Sequence, residues 1–67
     1  MIWIITDNTE NNEFVTVVFS ETALERTKQS LINFDSIANE HRHYSIKKAV
    51  NSYNGIAHIV KESTLDT

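Results

Sequence analysis

The sequence predicts an α+β fold of element order ββαββ, in which one helix packs on one face of an antiparallel sheet. Two short segments rich in β-branched and aromatic residues come first, a segment with helical spacing follows, and an Asn-Gly pair then separates two further apolar segments. The 67 residues have room for a single domain, which we place at 1–67. A domain of this size buries only about 60% of the surface that its unfolded chain exposes, so its core is small.

Residues 1–6 and 14–19 predict the first two strands. Both segments are dominated by Ile, Val, Phe, Trp and Thr, the residue types that fit a pleated sheet. Residues 7–12 contain no apolar side chain and are rich in turn formers, so we expect a loop there. The two strands are therefore expected to pair as an antiparallel hairpin with apolar side chains on both faces.

A helix is predicted from about residue 21 to residue 33. The Ser20 hydroxyl can accept a hydrogen bond from a free amide of the first turn, and Glu21 places a negative charge at the positive end of the helix dipole. One face of this helix collects Ala23, Thr27, Leu31 and Phe34, flanked by Leu24 and Ile32. Asn33 and Asp35 suit the end of the helix.

The last third of the chain fits two interpretations. Residues 44–50 and 56–60 resemble strands, and Asn54-Gly55 between them is a hairpin signal because both residue types accept positive φ. The spacing that would instead indicate a helix is met by Ile46, Ala49, Val50 and Tyr53. We favour strand, turn and strand, with either a two-residue turn or a longer loop.

A two-residue turn would fix the register of this second hairpin. Counting outward from the turn gives the cross-strand pairs Val50–Ile59, Lys47–Glu62 and Lys48–Lys61. The first two pairs are favourable, whereas the third brings two like charges together.

The sheet is expected to expose an apolar face. A single helix covers only one face of a four-stranded sheet, and a contiguous apolar patch on the other face usually marks an interface. We assign Trp3, Phe14 and Val18 to this face and expect them to contact a partner protein or a second copy of the chain. The alternative is that sheet twist and the segment 35–43 cover it.

Charge is distributed unevenly along the chain, whose net charge is −3. The segment up to residue 25 has no Lys or Arg and contains Asp7, Glu10, Glu13, Glu21 and Glu25. We expect these acidic residues to bind a basic partner protein. An alternative nucleic-acid site consists of Lys47, Lys48 and Lys61. The acidic balance argues against it, because phosphate binding needs a surplus of positive charge.

Residues 40–43, Glu-His-Arg-His, are the only local cluster of chemically capable side chains in the sequence. His41 and His43 would project from one face of an extended segment, as a two-histidine metal grip requires, and His58 could approach them. No spacing fixes a third ligand, so we predict no metal site. The sequence has no Cys and one Gly, which excludes thiolate zinc sites, cysteine nucleophiles and a glycine-rich phosphate loop. We expect neither enzymatic activity nor a cofactor.

The composition favours a soluble protein of the cytoplasm. The longest apolar run, residues 1–5, is far shorter than the roughly 20 residues of a membrane helix, and no basic segment precedes it as in a signal peptide. Small secreted domains usually rely on disulfides, which a sequence without Cys cannot form.

The element order also suggests a class of proteins. The features that carry the likeness are the opening strand at 1–5, the second strand at 14–19 and Ser20 at the start of a single helix. In size and element order the chain resembles the small single-domain inhibitors encoded by bacteriophages, including anti-CRISPR proteins and inhibitors of host enzymes. Small antitoxins and bacterial accessory proteins share these features. No family motif is matched, so no functional residues are carried over. The resemblance implies occlusion of a host or defence protein complex in the host cytoplasm, without catalysis.

Overall fold

The structure is a computed structural model that describes residues 1–51 and 55–67. Its elements follow one another as strand β1 (Ile2–Asp7), strand β2 (Glu13–Val18), helix α1 (Glu21–Ala38), strand β3 (His43–Asn51) and strand β4 (Ala57–Asp66). The four strands form one antiparallel sheet in the order β2-β1-β3-β4, and α1 packs on one face of it. The predicted ββαββ fold is confirmed.

The core lies between α1 and the sheet. Alternate residues of a strand project to the same face, and those beneath the helix are Trp3, Ile5, Val18, Tyr44 and Ile46. Packed against them are Ala23, Leu24 and Leu31 of α1 and Leu65 of β4. Among the described residues, six apolar side chains are buried, whereas ten large ones are exposed. A substantial apolar surface is therefore exposed.

The helix is longer than the sequence predicts. Ser20 caps it as expected, since its Oγ accepts a hydrogen bond from the Ala23 amide at 3.1 Å. The predicted end at residue 33 is wrong, because the helix continues until Asn39 takes a left-handed conformation with φ of 54°. Asp35 stays helical because its buried side chain is held by hydrogen bonds from other elements. Within residues 1–51 and 55–67, no helix is both long and apolar enough to cross a membrane.

The second hairpin confirms the favoured interpretation. Residues 43–51 form a strand, so the helical alternative for this segment is wrong. Two of the predicted cross-strand pairs are confirmed, Lys47–Glu62 and Lys48–Lys61. The third is wrong, because a register shift places Ile59 opposite Ala49 instead of Val50. A bulge of this kind increases the local twist of the edge strand.

Gly55 has the conformation expected in the turn of this hairpin, and the second strand is longer than predicted. Gly55 has a φ of 83°, the left-handed region expected in an Asn-Gly turn. Asn54 of the predicted turn and Tyr53 of the helical alternative lie outside the described residues. β4 continues to Asp66, beyond the predicted end at residue 60. The sequence gives little sign of this extension, because Leu65 is the only apolar residue of 61–66.

A bulge in β2 determines which face Phe14 occupies. The register of β1 and β2 shifts, so that Ile5 lies opposite Thr16 but Thr6 lies opposite Phe14. Val15 is the extra residue of this bulge. Phe14 therefore projects to the face opposite the helix, together with Thr6.

The predicted membership of the open sheet face is wrong for two of its three residues. Trp3 and Val18 are buried in the core beneath α1, whereas Phe14 is 68% exposed on the opposite face. By register, the apolar neighbours of Phe14 on this open face are Ile2, Ile4, Val17, Ala49 and Ile59. The suggested cover by 35–43 is also wrong, because residues 35–38 belong to α1.

Candidate functional site

A cleft of about 350 Å³ opens at the end of the sheet where β1 finishes and β3 begins. Its lining comes from the β1–β2 loop and from the connector between α1 and β3. The lining residues are Asp7, Thr9, Glu10, Asn11, Glu13, Glu40, His41 and Arg42. Four of these eight side chains are carboxylates, so the cleft is predominantly acidic.

The β1–β2 loop is held by hydrogen bonds at its first residues. Oδ1 of Asp7 accepts hydrogen bonds from the Thr9 amide at 2.9 Å and from the Thr9 hydroxyl at 2.6 Å. The same hydroxyl oxygen accepts a bond from the His43 amide at 2.9 Å, and the Asn8 amide donates to the His43 carbonyl at 2.7 Å. These contacts fix the loop against β3. The hydrogen bonds from Thr9, with a smaller contribution from Arg42, lower the pKa of Asp7 below its ordinary value.

Arg42 neutralises part of the acidic cleft. Its guanidinium lies 3.3 Å from Oδ2 of Asp7 and also pairs with Glu40. The hydrogen bond to Glu40 is the largest factor that raises the pKa of Arg42, so the guanidinium stays charged. Asp7 and Glu40 therefore have a positive partner within the protein.

Beneath Arg42 lies a buried polar cluster centred on Asp35, which is only 1% exposed. Oδ2 of Asp35 accepts hydrogen bonds from the Tyr44 hydroxyl and from the Thr67 hydroxyl, each at 2.8 Å. Oδ1 lies 3.2 Å from Nε of Arg42, an ion pair without hydrogen-bond geometry, and neither atom has a hydrogen-bond partner among the described residues. Burial, followed by the Asp35 hydrogen bond, raises the pKa of Tyr44. The cluster ties α1, β3 and the segment after β4 together.

Glu10 and Glu13 are the carboxylates of the cleft that remain available. Both side chains are exposed, and neither forms an ion pair with any residue of the described part of the chain. Glu10 lies in the middle of the β1–β2 loop, and Glu13 is the first residue of β2. Two unpaired negative charges therefore face a position that a positive group of another molecule could occupy.

The other two predicted acidic residues lie elsewhere. Glu21 and Glu25 line a separate groove of about 450 Å³ between α1 and the β3–β4 half of the sheet. Glu25 contacts Lys28 at 3.6 Å in this groove. The structure thus brings together Asp7, Glu10 and Glu13 and separates them from the acidic residues of the helix.

The three lysines of the nucleic-acid alternative lie on two faces of the sheet. Lys47 is on the open face and contacts Glu62 at 3.8 Å. Lys48 and Lys61 line the groove on the helix side, where Nζ of Lys48 lies 5.6 Å from the centroid of the Trp3 ring. These residues do not form one continuous basic surface.

The histidines also have separate surroundings. Nδ1 of His43 contacts the Asp66 carboxylate, and Nδ1 of His41 lies 3.1 Å from the main-chain oxygen of Thr67. His58 lies opposite Val50, toward the other end of the β3–β4 hairpin. The described ranges contain no group of three or more His, Cys, Asp or Glu side chains placed to hold a metal ion.

Sequence reasoning missed Asp35 and the role of Arg42. Asp35 follows Leu31 by four residues, so it lies on the apolar face of the helix, and an acidic residue at such a position signals a buried partner. Arg42 belongs to the cluster 40–43 that was considered for metal binding. The positive charge of Arg42 between two histidines is the feature of the sequence that indicates pairing with carboxylates.

Comparisons with known proteins give no further guide to this site. The chain matches no protein-family model, no curated protein sequence and no solved structure.

Proposed function

We propose that the chain is a non-catalytic protein-binding module that occludes a positively charged surface of a partner protein. Such a module would fit a phage-type inhibitor of a host or defence complex. The observation that carries this proposal is the placement of Glu10 and Glu13, unpaired and exposed at the cleft, beside the exposed Phe14. The proposal concerns binding alone and assigns no reaction to the cleft.

The electrostatic part of the argument rests on which carboxylates are free. Asp7 and Glu40 are paired with Arg42, so a Lys or Arg of a partner would meet Glu10 and Glu13. A positive group entering the cleft forms charge-assisted hydrogen bonds with these carboxylates. Complementary charge also accelerates association and selects against acidic partners.

The apolar part of the argument rests on Phe14. This side chain is 68% exposed and immediately follows Glu13 in β2. Aromatic anchors surrounded by polar groups carry much of the free energy of many protein interfaces. Because consecutive residues of a strand project to opposite faces, Phe14 lies on the open face next to the end of the sheet that carries the cleft, and a partner would contact both by spanning that end.

The proposal is tested by capture from bacterial lysate with charge-matched variants. The tagged wild-type protein is compared with Glu10→Lys/Glu13→Lys and with Glu21→Lys/Glu25→Lys, and captured proteins are quantified by mass spectrometry. Both double variants change the net charge equally, but only the first alters the cleft. We expect a specific captured protein to be lost from the first variant and retained by the second.

A third variant, Phe14→Ala, tests the apolar anchor with the carboxylates intact. We expect it to weaken capture at both low and high salt, because burial of an aromatic side chain is little screened by ions. Equal loss of capture in both charge variants would show a general charge effect and reject the cleft. Retention by all three variants would reject the proposed surface.

A further inference from the structure

We infer that the free edge of β2 pairs with the β2 edge of a second copy of this chain, forming a two-fold dimer with a continuous eight-stranded sheet. This inference does not rest on the proposed function. It uses β2 from the bulge onward and one flank of the helix, whereas the proposed function uses the acidic cleft and Phe14, which lie before the bulge.

The two edges of the sheet differ in how they are protected. β2 and β4 are the outer strands. β4 carries Lys61, Glu62 and Asp66, and charged side chains are a common protection against edge-to-edge pairing. Residues 14–19 contain no charged side chain. The part of β2 from the bulge onward, residues 15–18, can therefore accept another strand with no charge inside the paired stretch, and Glu13 lies before the bulge.

Exposed apolar side chains border this edge. Phe19, the residue directly after β2, is 74% exposed. Leu24 and Lys28 of α1 face the groove over β3 and β4, so the opposite flank of the helix lies toward β2. That flank carries Phe34 and Ile37, which are 64% and 87% exposed.

The area of these side chains sets the expected strength of the dimer. At their observed exposures, Phe19, Phe34 and Ile37 offer roughly 400 Å² of apolar surface per copy. A standard interface uses about 800 Å² per partner, to which the paired strands would add backbone surface. The dimer should therefore be reversible, with a dissociation constant on the order of micromolar.

Symmetry restricts the register of the pairing. Two identical antiparallel strands in one sheet place residues of the same face opposite each other, so the two-fold axis passes beside a single residue. Val17 is the middle of 15–19, the stretch from the bulge to the end of the apolar segment. Centring there brings Glu13 of one copy near Glu21 of the other, so salt should strengthen the dimer by screening this repulsion.

The absence of Cys from the sequence allows a direct test. Opposite residues of an antiparallel pair have Cα atoms roughly 4.5–5.5 Å apart, within the range of a disulfide. Val17→Cys should therefore form a disulfide-linked dimer under mild oxidation, at least about tenfold faster than the control Val60→Cys on β4, which is not expected to be brought beside its symmetry mate. Equal rates for the two variants would overturn the proposed register.

Sedimentation of the uncrosslinked protein supplies the second measurement. From about 10 to 500 µM, wild type should change from monomer to dimer, and added salt should favour the dimer. Phe19→Lys should abolish association, whereas the charge-matched Val60→Lys on the other edge should leave it intact. A 7.7 kDa species throughout this range would reject the dimer. Loss of association only in Val60→Lys would place the contact on β4 and equally overturn the proposal.

Discussion

Nε of Arg42 lies 3.2 Å from Oδ1 of the buried Asp35, and this ion pair joins the end of α1 to the start of β3. The same guanidinium reaches Asp7 at the end of β1. Arg42 therefore lies where α1, β1 and β3 meet, and it forms one side of the acidic cleft. Glu10 and Glu13 lie on the other side, where no residue of the described chain pairs with them.

Substitution of Asp35 tests the importance of this junction. Asp35→Asn should lower the free energy of unfolding by about 2–4 kcal/mol, because a neutral amide weakens the contacts of the buried carboxylate with Tyr44, Thr67 and Arg42 together. Tyr44→Phe removes a single hydrogen bond to the same carboxylate and should cost about 1–2 kcal/mol. Urea denaturation followed by circular dichroism measures both. A smaller loss for Asp35→Asn than for Tyr44→Phe would contradict this account.

The hydrogen bonds between Thr9 and Asp7 should make stability depend on pH. Thr9 holds the pKa of Asp7 below its ordinary value of 3.8, so the stabilisation is present above that pH and is lost as the pH falls through the folded-state pKa. Thr9→Val should therefore be less stable than wild type near neutral pH, by a margin that shrinks in acid. Urea midpoints across the acidic range provide the measurement. If the difference in stability between Thr9→Val and wild type did not change with pH, the Thr9 hydroxyl would act only through its uncharged partner, the His43 amide.

Tyr44 should ionise at unusually high pH. Burial, followed by the hydrogen bond to Asp35, raises its pKa above the ordinary value of 10.0. Its contribution to stability is therefore present below pH 10.0 and is lost as the pH rises through the folded-state pKa. The sequence has two Tyr residues, so absorbance titration of Tyr44→Phe and of the control Tyr53→Phe assigns the phases. If Tyr44→Phe removed a phase near pH 10.0, the buried hydrogen bond would be disproved.

The cross-strand pair Lys48–Lys61 should weaken the sheet. Lys61→Glu replaces a like-charge pair with an opposite-charge pair and should raise the free energy of unfolding by about 0.2–1 kcal/mol. The control Glu62→Lys breaks the contact with Lys47 on the other face and should be destabilising. Thermal unfolding at low salt compares the two variants. Destabilisation by Lys61→Glu would mean that the lysines are not opposed as the register requires.

The fold class follows from the sequence because periodicity and element order are local properties. The strands at 1–6 and 14–19 and the capped start of the helix needed no knowledge of distant contacts. The end of the helix, in contrast, depends on contacts with distant residues. Asp35 has a low helix propensity, but its hydrogen bonds from Tyr44 and Thr67 outweigh that preference, and the latter partner lies 32 residues away.

The candidate site was predictable in part for the same reason. Asp7, Glu10 and Glu13 lie in or beside one loop, so their proximity follows from the hairpin. Arg42 and Glu40 reach the cleft only because β3 pairs with β1. The composition of the sequence does not reveal which strands are neighbours in the sheet. Val18 was placed on the same face as Phe14 because counting alternate residues assumes a regular strand, whereas the bulge at Val15 puts the two side chains on opposite faces.

The central claim, that Glu10 and Glu13 bind a basic surface, is tested most directly by the salt dependence of affinity. Surface plasmon resonance with the purified captured protein would compare wild type with Glu10→Lys/Glu13→Lys at about 50 and 500 mM salt. We expect wild-type affinity to fall at least about tenfold with salt, and the variant to bind weakly at both concentrations. Equal affinity of wild type and variant at low salt would contradict the claim.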